Sequence, residues 1–347
     1  MKVWIDFANS PHPLFFAPMV RRLLREGHDV LLTARDNAQT VELARERWPD
    51  VEVIGGQSPK GRAAKITTMG QRIAALRRWA ANAYPHVALS HNSYAQIVAA
   101  RTLRIPVVTA MDFERQPVNH LAFRLAKTVV LPEVLPGREL RWQGARPKKV
   151  ERYPGLKEEL YIGDFEPDPA ILEKVGLTAR PKILAIARTP PSRAIYHRFA
   201  NPLFEEALRT VCSHANATCI VLTRHPEQIA AVEALKLSNC IIPRSAIDSR
   251  SLLYAADLMI GAGGTMTREA ALLGIPTWTL FAGTPPAVDR WLIGQGMLKR
   301  LNSPRQLVDL RPRAAEPHTP AHLRDRAGRI ERVILDATTA AGSRYRR

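Results

Sequence analysis

The sequence predicts an α/β protein made of two successive Rossmann-like domains, each a doubly wound parallel sheet. Short apolar, β-branched runs alternate with helical stretches from the N-terminus to about residue 150, and strands linked by helices imply parallel βαβ units. The alternation breaks over RYPGLKEELYIGDFEPDP, residues 152–169, and restarts at Lys182. The chain has 347 residues, whereas single cores stop growing near about 250–300 residues. The expected organisation is a first domain over 1–160, a second over 161–320, a C-terminal helix with a frayed basic tail over 321–347, and a cleft between the two domains.

Each element follows from local chemistry. Val3–Phe7 is apolar enough for a buried strand. A helix from about Leu14 to Glu26 stops at Gly27, the residue that most easily takes a helix-ending left-handed conformation. Next come the strand Asp29–Thr33, a helix from about Asn37 to Arg47, and Val51–Ile54. After a basic helix come His86–Leu89, a helix over 93–103, Pro106–Ala110, Val129–Leu131 and a strand near Val150. The second series opens with Lys182–Ala187, a helix from about Asn201 to Cys212, and Thr218–Thr223. A helix from about Glu227 to Leu235, Cys240–Ile242 and Leu258–Ile260 follow, then a glycine turn, a helix and Thr277–Phe281. The stretch from about Pro320 to Leu335 reads as a charged amphipathic helix and Ala340–Arg347 as a frayed end.

Composition excludes several classes. An apolar share of 46% is too high for a disordered chain. No run approaches the ~20 apolar residues that cross a bilayer, and MKVWIDF reads as a strand rather than a signal peptide. Cys212, Cys219 and Cys240 are too few for a disulfide framework and form no CxxC pair. The expectation is a reduced, cytoplasmic protein. Without HExxH or paired CxxC, no tightly bound metal is expected, and no GxSxG elbow is present.

Charge adds a clue. Lys and Arg number 50 and Asp and Glu 32, a net +18. Between Glu52 and Asp112 there is no acid, while Lys60, Arg62, Lys65, Arg72, Arg77, Arg78, Arg101 and Arg104 fall there. Such a field attracts nucleotide phosphates, anionic lipid or nucleic acid. It also fits a merely solvated helix face: Ile66, Met69, Ile73 and Leu76 recur at helical spacing and should face the core, which would turn Arg72, Arg77 and Arg78 outward.

The most specific segment is LMIGAGGTMTREAALLGIPTW, residues 258–278. It reads as strand, glycine turn and helix. Gly261, Gly263 and Gly264 let an anion approach the main chain, and the free N–H groups of a helix starting near Thr265 attract it. Thr265 and Thr267 can donate hydroxyls, and Glu269, one turn in, can accept from two ribose hydroxyls. The spacing is neither GxGxxG nor a P-loop. A turn that only shapes a strand-to-helix connection, with Glu269 an ordinary helix acid, is the simpler alternative.

This segment resembles the C-terminal nucleotide-sugar motif of GT-B-fold proteins. The spacing from Gly263 to Glu269, Gly274 and Pro276 is similar to that of the lipid II-forming N-acetylglucosaminyltransferase. The UDP-N-acetylglucosamine 2-epimerases are similar too, their Ser-Gly-Gly…Glu segment being shorter by a residue here. Over roughly residues 1–310 the chain resembles a domain family of unknown function in the same superfamily. The blocks that carry this are KVWIDFANSPHPLFF, GHDVLLTARD, YPGLKEELY and GGTMTREAALLG(I)P. The resemblance implies a GT-B-like fold and a nucleoside diphosphate sugar as substrate, a UDP-sugar foremost, with no tightly bound cofactor. It also implies that Glu269 binds the ribose and that Gly263, Gly264 and Thr265 bind the diphosphate. Arg188, after the first strand of the second domain, sits where such folds often place a phosphate-binding cation, and Arg224 and His225 follow the next strand; all three also read as surface residues.

Functional groups collect at the carboxyl ends of parallel strands. That rule selects Asp6, Asn9 and His12, then His91, Asn92 and Ser93, then Asp112 and Glu114. His12 or Asp112 could serve as base for an acceptor hydroxyl, and His91 is a further candidate. Asp112 and Glu114 are the obvious acid/base pair for an epimerase. The plainer alternatives are that His12, between two prolines, shapes a loop and that Asp112 caps a segment. The epimerases' acid/base residues are not matched here, and NSPHPLFF replaces the transferase's glycine loops after strand one. Three readings follow: a glycosyltransferase of cell-envelope or polysaccharide synthesis resting peripherally on an anionic inner membrane; an epimerase or hydrolase of the nucleotide sugar; and a non-enzymatic polyanion binder. Without a nucleic-acid-binding module, nucleic acid ranks last as a partner.

Overall fold

The computed structural model describes residues 1–57, 61–190, 202–223, 226–245, 247–318 and 320–343. The chain divides into two compact units, Met1–Tyr161 with the chain from Arg324 onward, and Ile162–Leu323. No helix among the described residues is long and apolar enough to cross a membrane.

The first unit is built on strands β1 (Lys2–Phe7), β2 (Asp29–Ala34), β3 (Glu52–Val53), β4 (Val87–His91), β5 (Val107–Ala110), β6 (Thr128–Pro132) and β7 (Val150–Tyr153). They form one parallel sheet in the order β3-β2-β1-β4-β5-β6-β7. Helices cover both faces of such a sheet, so its central strands read as nearly continuous apolar runs. Val3, Trp4, Ile5, Phe7, Val87, Ala88, Leu89, Val107, Val108 and Ala110 are accordingly all buried. The C-terminal helix Arg324–Ser343 packs on this unit with Ile330, Ile334 and Leu335 buried. Arg326 fastens it by an ion pair to the buried Glu159 at 3.2 Å. Its close approach requires Gly342, where a Cβ would lie 2.8 Å from the Met1 Sδ.

The second unit carries β8 (Ile183–Arg188), β9 (Ala217–Leu222), β10 (Cys240–Ile241), β11 (Leu258–Gly261), β12 (Thr277–Thr279) and β13 (Lys299–Arg300). Its parallel sheet runs β10-β9-β8-β11-β12-β13. Ile183, Ala185, Cys219, Val221, Leu258 and Ile260 pack there with Leu208 and Val211 of the helix Pro202–Cys212. All three cysteines are unbridged.

The structure corrects the reading of the basic helix, Arg62–Ala83. Ile66 is 72% and Met69 38% exposed, whereas Arg72, expected on the outside, is only 5% exposed. Leu76 and Ala80 are the buried apolar positions, so only the later part of the helix seats in the unit. Arg72 turns inward because an anion waits there. Its Nη2 donates to both carboxylate oxygens of Asp6 at 2.8 and 3.0 Å, and its Nε donates to the Ile54 carbonyl at 2.9 Å. Thr33 and Ser93 also donate to Asp6, and Trp4 Nε1 donates to the Thr33 hydroxyl. Breaking one partner of a buried pair leaves an uncompensated charge and costs about 3–5 kcal/mol. Asp6→Ala is therefore expected to lower the unfolding free energy measured by urea titration by an amount in that range. Arg77→Ala, on the exposed face, is expected to change it by less than about 0.5 kcal/mol.

Candidate functional site

Strand order reverses once in each sheet, between β1 and β4 in the first unit and between β8 and β11 in the second. At such a reversal the connecting helices leave on opposite faces, which opens a crevice at the carboxyl ends of the strands. The candidate residues gather at these two places.

In the second unit, β11 ends at Gly261. Register sets Gly261 beside Thr279 on β12, and Ile260 beside Ala187, so that Arg188 ends β8 next to the turn. Gly263 and Gly264 have φ of +83° and +91°, a region where a Cβ brings strain. The helix Thr265–Leu272 follows with Gly264 as N-cap and no side-chain cap. A Cβ added at Gly264 would meet nothing within 4 Å, so the helix end is open. Its first N–H groups have no intrahelical acceptors, and their dipoles add to a local positive potential. Thr265 is half-buried at this end. Thr267 is buried with its hydroxyl under the turn, where a Cβ on Gly261 would fall 2.5 Å from Oγ1. Glu269 is buried one turn into the helix, and Arg268 beside it pairs with the buried Asp289 at 2.9 Å. Arg188 is half-buried and donates from Nη1 to the Thr223 carbonyl at 3.0 Å. Arg224 and His225 lie outside the described residues.

In the first unit the helix Pro11–Arg25 starts just after β1 and carries His12. His91 is the last residue of β4, the strand paired with β1. The two rings meet edge to face at 5.5 Å, and Phe15 meets the His91 ring at 5.2 Å. His91 Nε2 lies 3.5 Å from Asp112 Oδ1, and Lys157 Nζ donates to Asp112 Oδ2 at 2.5 Å. Lys157 also lies 3.9 Å from Glu158. All these groups are buried. Burial first, and the Lys157 charge second, lower His12 to about 4 and His91 to about 3. Both imidazoles are thus neutral at pH 7. His12 Nδ1 accepts from the Ala8 N–H at 3.1 Å, which leaves the proton of the neutral ring on Nε2, a donor.

The structure therefore joins His12, His91 and Asp112 in one chain of contacts. Glu114 is fully buried, pairs with Arg115 at 3.7 Å and lines a depression with Arg124 and Trp142. Asp6 and Ser93 belong to the Arg72 ion pair, and Asn92 donates to Asn119 at 2.8 Å. Sequence reasoning missed Lys157. The segment 152–169, where the strand–helix alternation breaks, contains the helix Lys157–Ile162, whose Lys157, Glu158 and Glu159 are buried. The signal was Leu156 and Leu160 at i and i+4, masked by the charges between them. Among the described residues no cluster of three or more His, Cys, Asp or Glu is arranged to hold a metal.

Solved structures share this architecture. The UDP-GlcNAc 2-epimerase of Neisseria meningitidis bound to UDP-GlcNAc aligns with a TM-score of 0.71 over 97% of this chain and 100% of its own, at 14% identity. MurG of Acinetobacter baumannii aligns with a TM-score of 0.51 over 99% and 95%, at 15% identity. These similarities establish a GT-B-like fold with two parallel sheets. In sequence, an uncharacterized protein of Methanocaldococcus jannaschii is 28% identical over 315 residues, 89% of this chain and 90% of that one. Lipid-A-disaccharide synthase of Nitrobacter hamburgensis is 24% identical over 224 residues, 56% and 55% of the two chains. The family model described as a protein of unknown function, DUF354, matches residues 1–328, and the chain belongs to that family.

Proposed function

We propose that this protein is a glycosyltransferase that uses a nucleoside diphosphate sugar, foremost a UDP-sugar, in cell-envelope or polysaccharide synthesis. The observation that carries this is the open, uncapped helix end at Gly264, set at the strand-order reversal of the second sheet with Glu269 one turn inside it. In this reading the N–H groups of Gly264 and Thr265 receive the diphosphate, Gly263 keeps the turn clear, and Thr267 supports it from beneath. Arg188 adds a cation at the same edge, and Glu269 accepts from the ribose hydroxyls. As the acceptor oxygen bonds to the anomeric carbon, the bond to the diphosphate breaks, and its charge grows against the helix dipole and Arg188. His91, neutral and backed by Asp112, takes the acceptor proton. Lys157 holds Asp112 in place through its hydrogen bond to Oδ2, and His12 donates from Nε2 to the bound sugar or acceptor. This reading needs no tightly bound cofactor beside the sugar nucleotide. The exposed basic face that includes Lys65, Arg77 and Arg78 rests on anionic lipid at the cytoplasmic side of the membrane.

The higher similarity to an epimerase than to MurG, TM-scores of 0.71 and 0.51, supports a second reading in which the nucleotide sugar itself is turned over. That reading needs two free acid/base groups on one sugar carbon. Asp112 is held by Lys157 and Glu114 pairs with Arg115, which favours transfer.

Titration calorimetry with UDP, GDP, CDP, TDP and ADP is expected to show one nucleotide binding with micromolar affinity. Glu269→Ala is expected to weaken it by at least about tenfold, the scale of a lost hydrogen bond to a charged group. Equal affinity in the variant removes Glu269 from the site, and sugar nucleotide consumed without acceptor selects the second reading.

The histidines make a second prediction. With pKa values near 4 and 3 they stay neutral on mild acidification, so kcat/KM is expected to hold steady from pH 8 to about pH 5, with its acid limb lower still. His91→Gln is expected to lower kcat about 10²–10⁴-fold while nucleotide affinity is retained. Lys157→Met removes a charge that depresses both histidines, so the acid limb should move to higher pH. A limb near 6.5 in the unmodified enzyme contradicts the assignment. Stability should follow the same sign. Between pH 6.5 and 4 the unfolded chain binds protons that the buried rings do not, so stability falls as pH falls, by about 1.4 kcal/mol per pH unit per histidine.

A further inference from the structure

We infer that the amino edge of the first sheet carries a second anion site, for phosphate groups, at the opposite end of the strands from His91 and Asp112. Parallel strands all enter from one edge, and the residues just before β5, β6 and β7 are basic: Arg101 and Arg104, then Arg124 and Lys127, then Arg146 and Lys149. They line two adjoining depressions that share Arg124. One, of about 370 Å³, is bordered by Arg101 and Arg104. The other, of about 1310 Å³, is bordered at this edge by Arg146 and Lys149 and reaches away to Glu114 and Glu139, its two carboxylates, with Arg138 and Arg141 beside them.

Among the described residues, Arg101, Arg104 and Arg146 pair with no carboxylate and are exposed. Lys149 Nζ donates to the Ala126 and Arg124 carbonyls at 2.9 and 3.3 Å, so main-chain oxygens hold it in place of an acid. Arg124 is likewise fixed by the carbonyls of His120, Trp142 and Gln143. Burial and the neighbouring charges of Arg146, Arg101 and Arg124 push the Lys149 pKa below its ordinary value. The fold thus holds like charges together on rigid backbone supports, an arrangement whose repulsion a bound anion removes. Three adjacent strands span two spacings, about 10 Å, which a single monoanion does not neutralise. Guanidinium forks match phosphate oxygens in pairs, so the ligand carries more than one phosphate, either free in solution or as lipid headgroups.

The experiment uses the full-length protein with two probes, sodium tripolyphosphate by calorimetry and phosphatidylglycerol against phosphatidylcholine vesicles by sedimentation. R101E/R146E and the milder R101Q/R146Q are compared with R25E/R45E, which changes the same charge at exposed positions elsewhere on this unit, and the far-ultraviolet circular dichroism spectrum and thermal transition check that each variant is folded. Tripolyphosphate binding weakened at least about tenfold in R101E/R146E, less in R101Q/R146Q and not in R25E/R45E supports a soluble ligand. The same pattern with phosphatidylglycerol vesicles alone supports lipid phosphates. Binding of neither probe, equal binding in all variants, or equal loss in R25E/R45E overturns the inference. Because the substituted residues lie outside the nucleotide site, failure here leaves the glycosyltransferase reading standing, and failure of that reading leaves this site standing.

Discussion

Parallel pairing obliges every strand of a sheet to end at the same edge, and the rest of this molecule depends on that constraint. The chain leaves each strand at the carboxyl edge, so the segments after β1, β4 and β5 must lie side by side, as must those after β8 and β11. Residues as distant in sequence as His12, His91 and Asp112 become neighbours without any long-range element designed to join them. Reversal of the strand order then leaves a gap exactly where two such segments diverge, and in both units the chemically distinctive residues occupy it. The amino edge obeys the same rule, and there it gathers arginines.

Electrostatics decides what the first unit can do with its edge. Asp6, Asp112 and Glu159 are each buried, and each is matched by a cation: Arg72, Lys157 and Arg326. Arg72 and Lys157 are themselves buried, so these two pairs stand out of water and contribute little net stability, while breaking either is expensive. Their consequence for chemistry is local. Burial first, and the nearby Lys157 second, hold the two histidines neutral, a state in which one ring can accept a proton and the other donate one. The second unit presents the complementary case, where the positive potential comes from backbone N–H groups and stays in place whatever the pH.

Much of this was legible in the sequence, and the exceptions share a cause. Strands buried on both faces produce continuous apolar runs such as KVWIDF and VVTA, so the two sheets could be read directly. The glycine turn was legible because glycines, threonines and Glu269 fall within seven residues. What was hidden depended on a distant partner. Nothing near Arg72 says that it faces Asp6, 66 residues away, and nothing in LKEEL says that its lysine meets Asp112. Ile66 and Met69 have the right spacing for a core face, yet both stand exposed, and the helix buries only its later apolar positions Leu76 and Ala80. The two-residue strand Lys299–Arg300 is exposed, and its backbone pairing leaves no mark on its side chains.

The central claim, that the second unit binds a nucleoside diphosphate through a bare helix end, is tested most directly by a crystal structure of the protein grown with UDP. The account expects phosphate oxygens within hydrogen-bonding distance of the Gly264 and Thr265 N–H groups, about 2.7–3.2 Å, with the ribose hydroxyls on the Glu269 carboxylate. Nucleotide bound with its phosphates elsewhere, or a helix end still empty under saturating UDP, would contradict it.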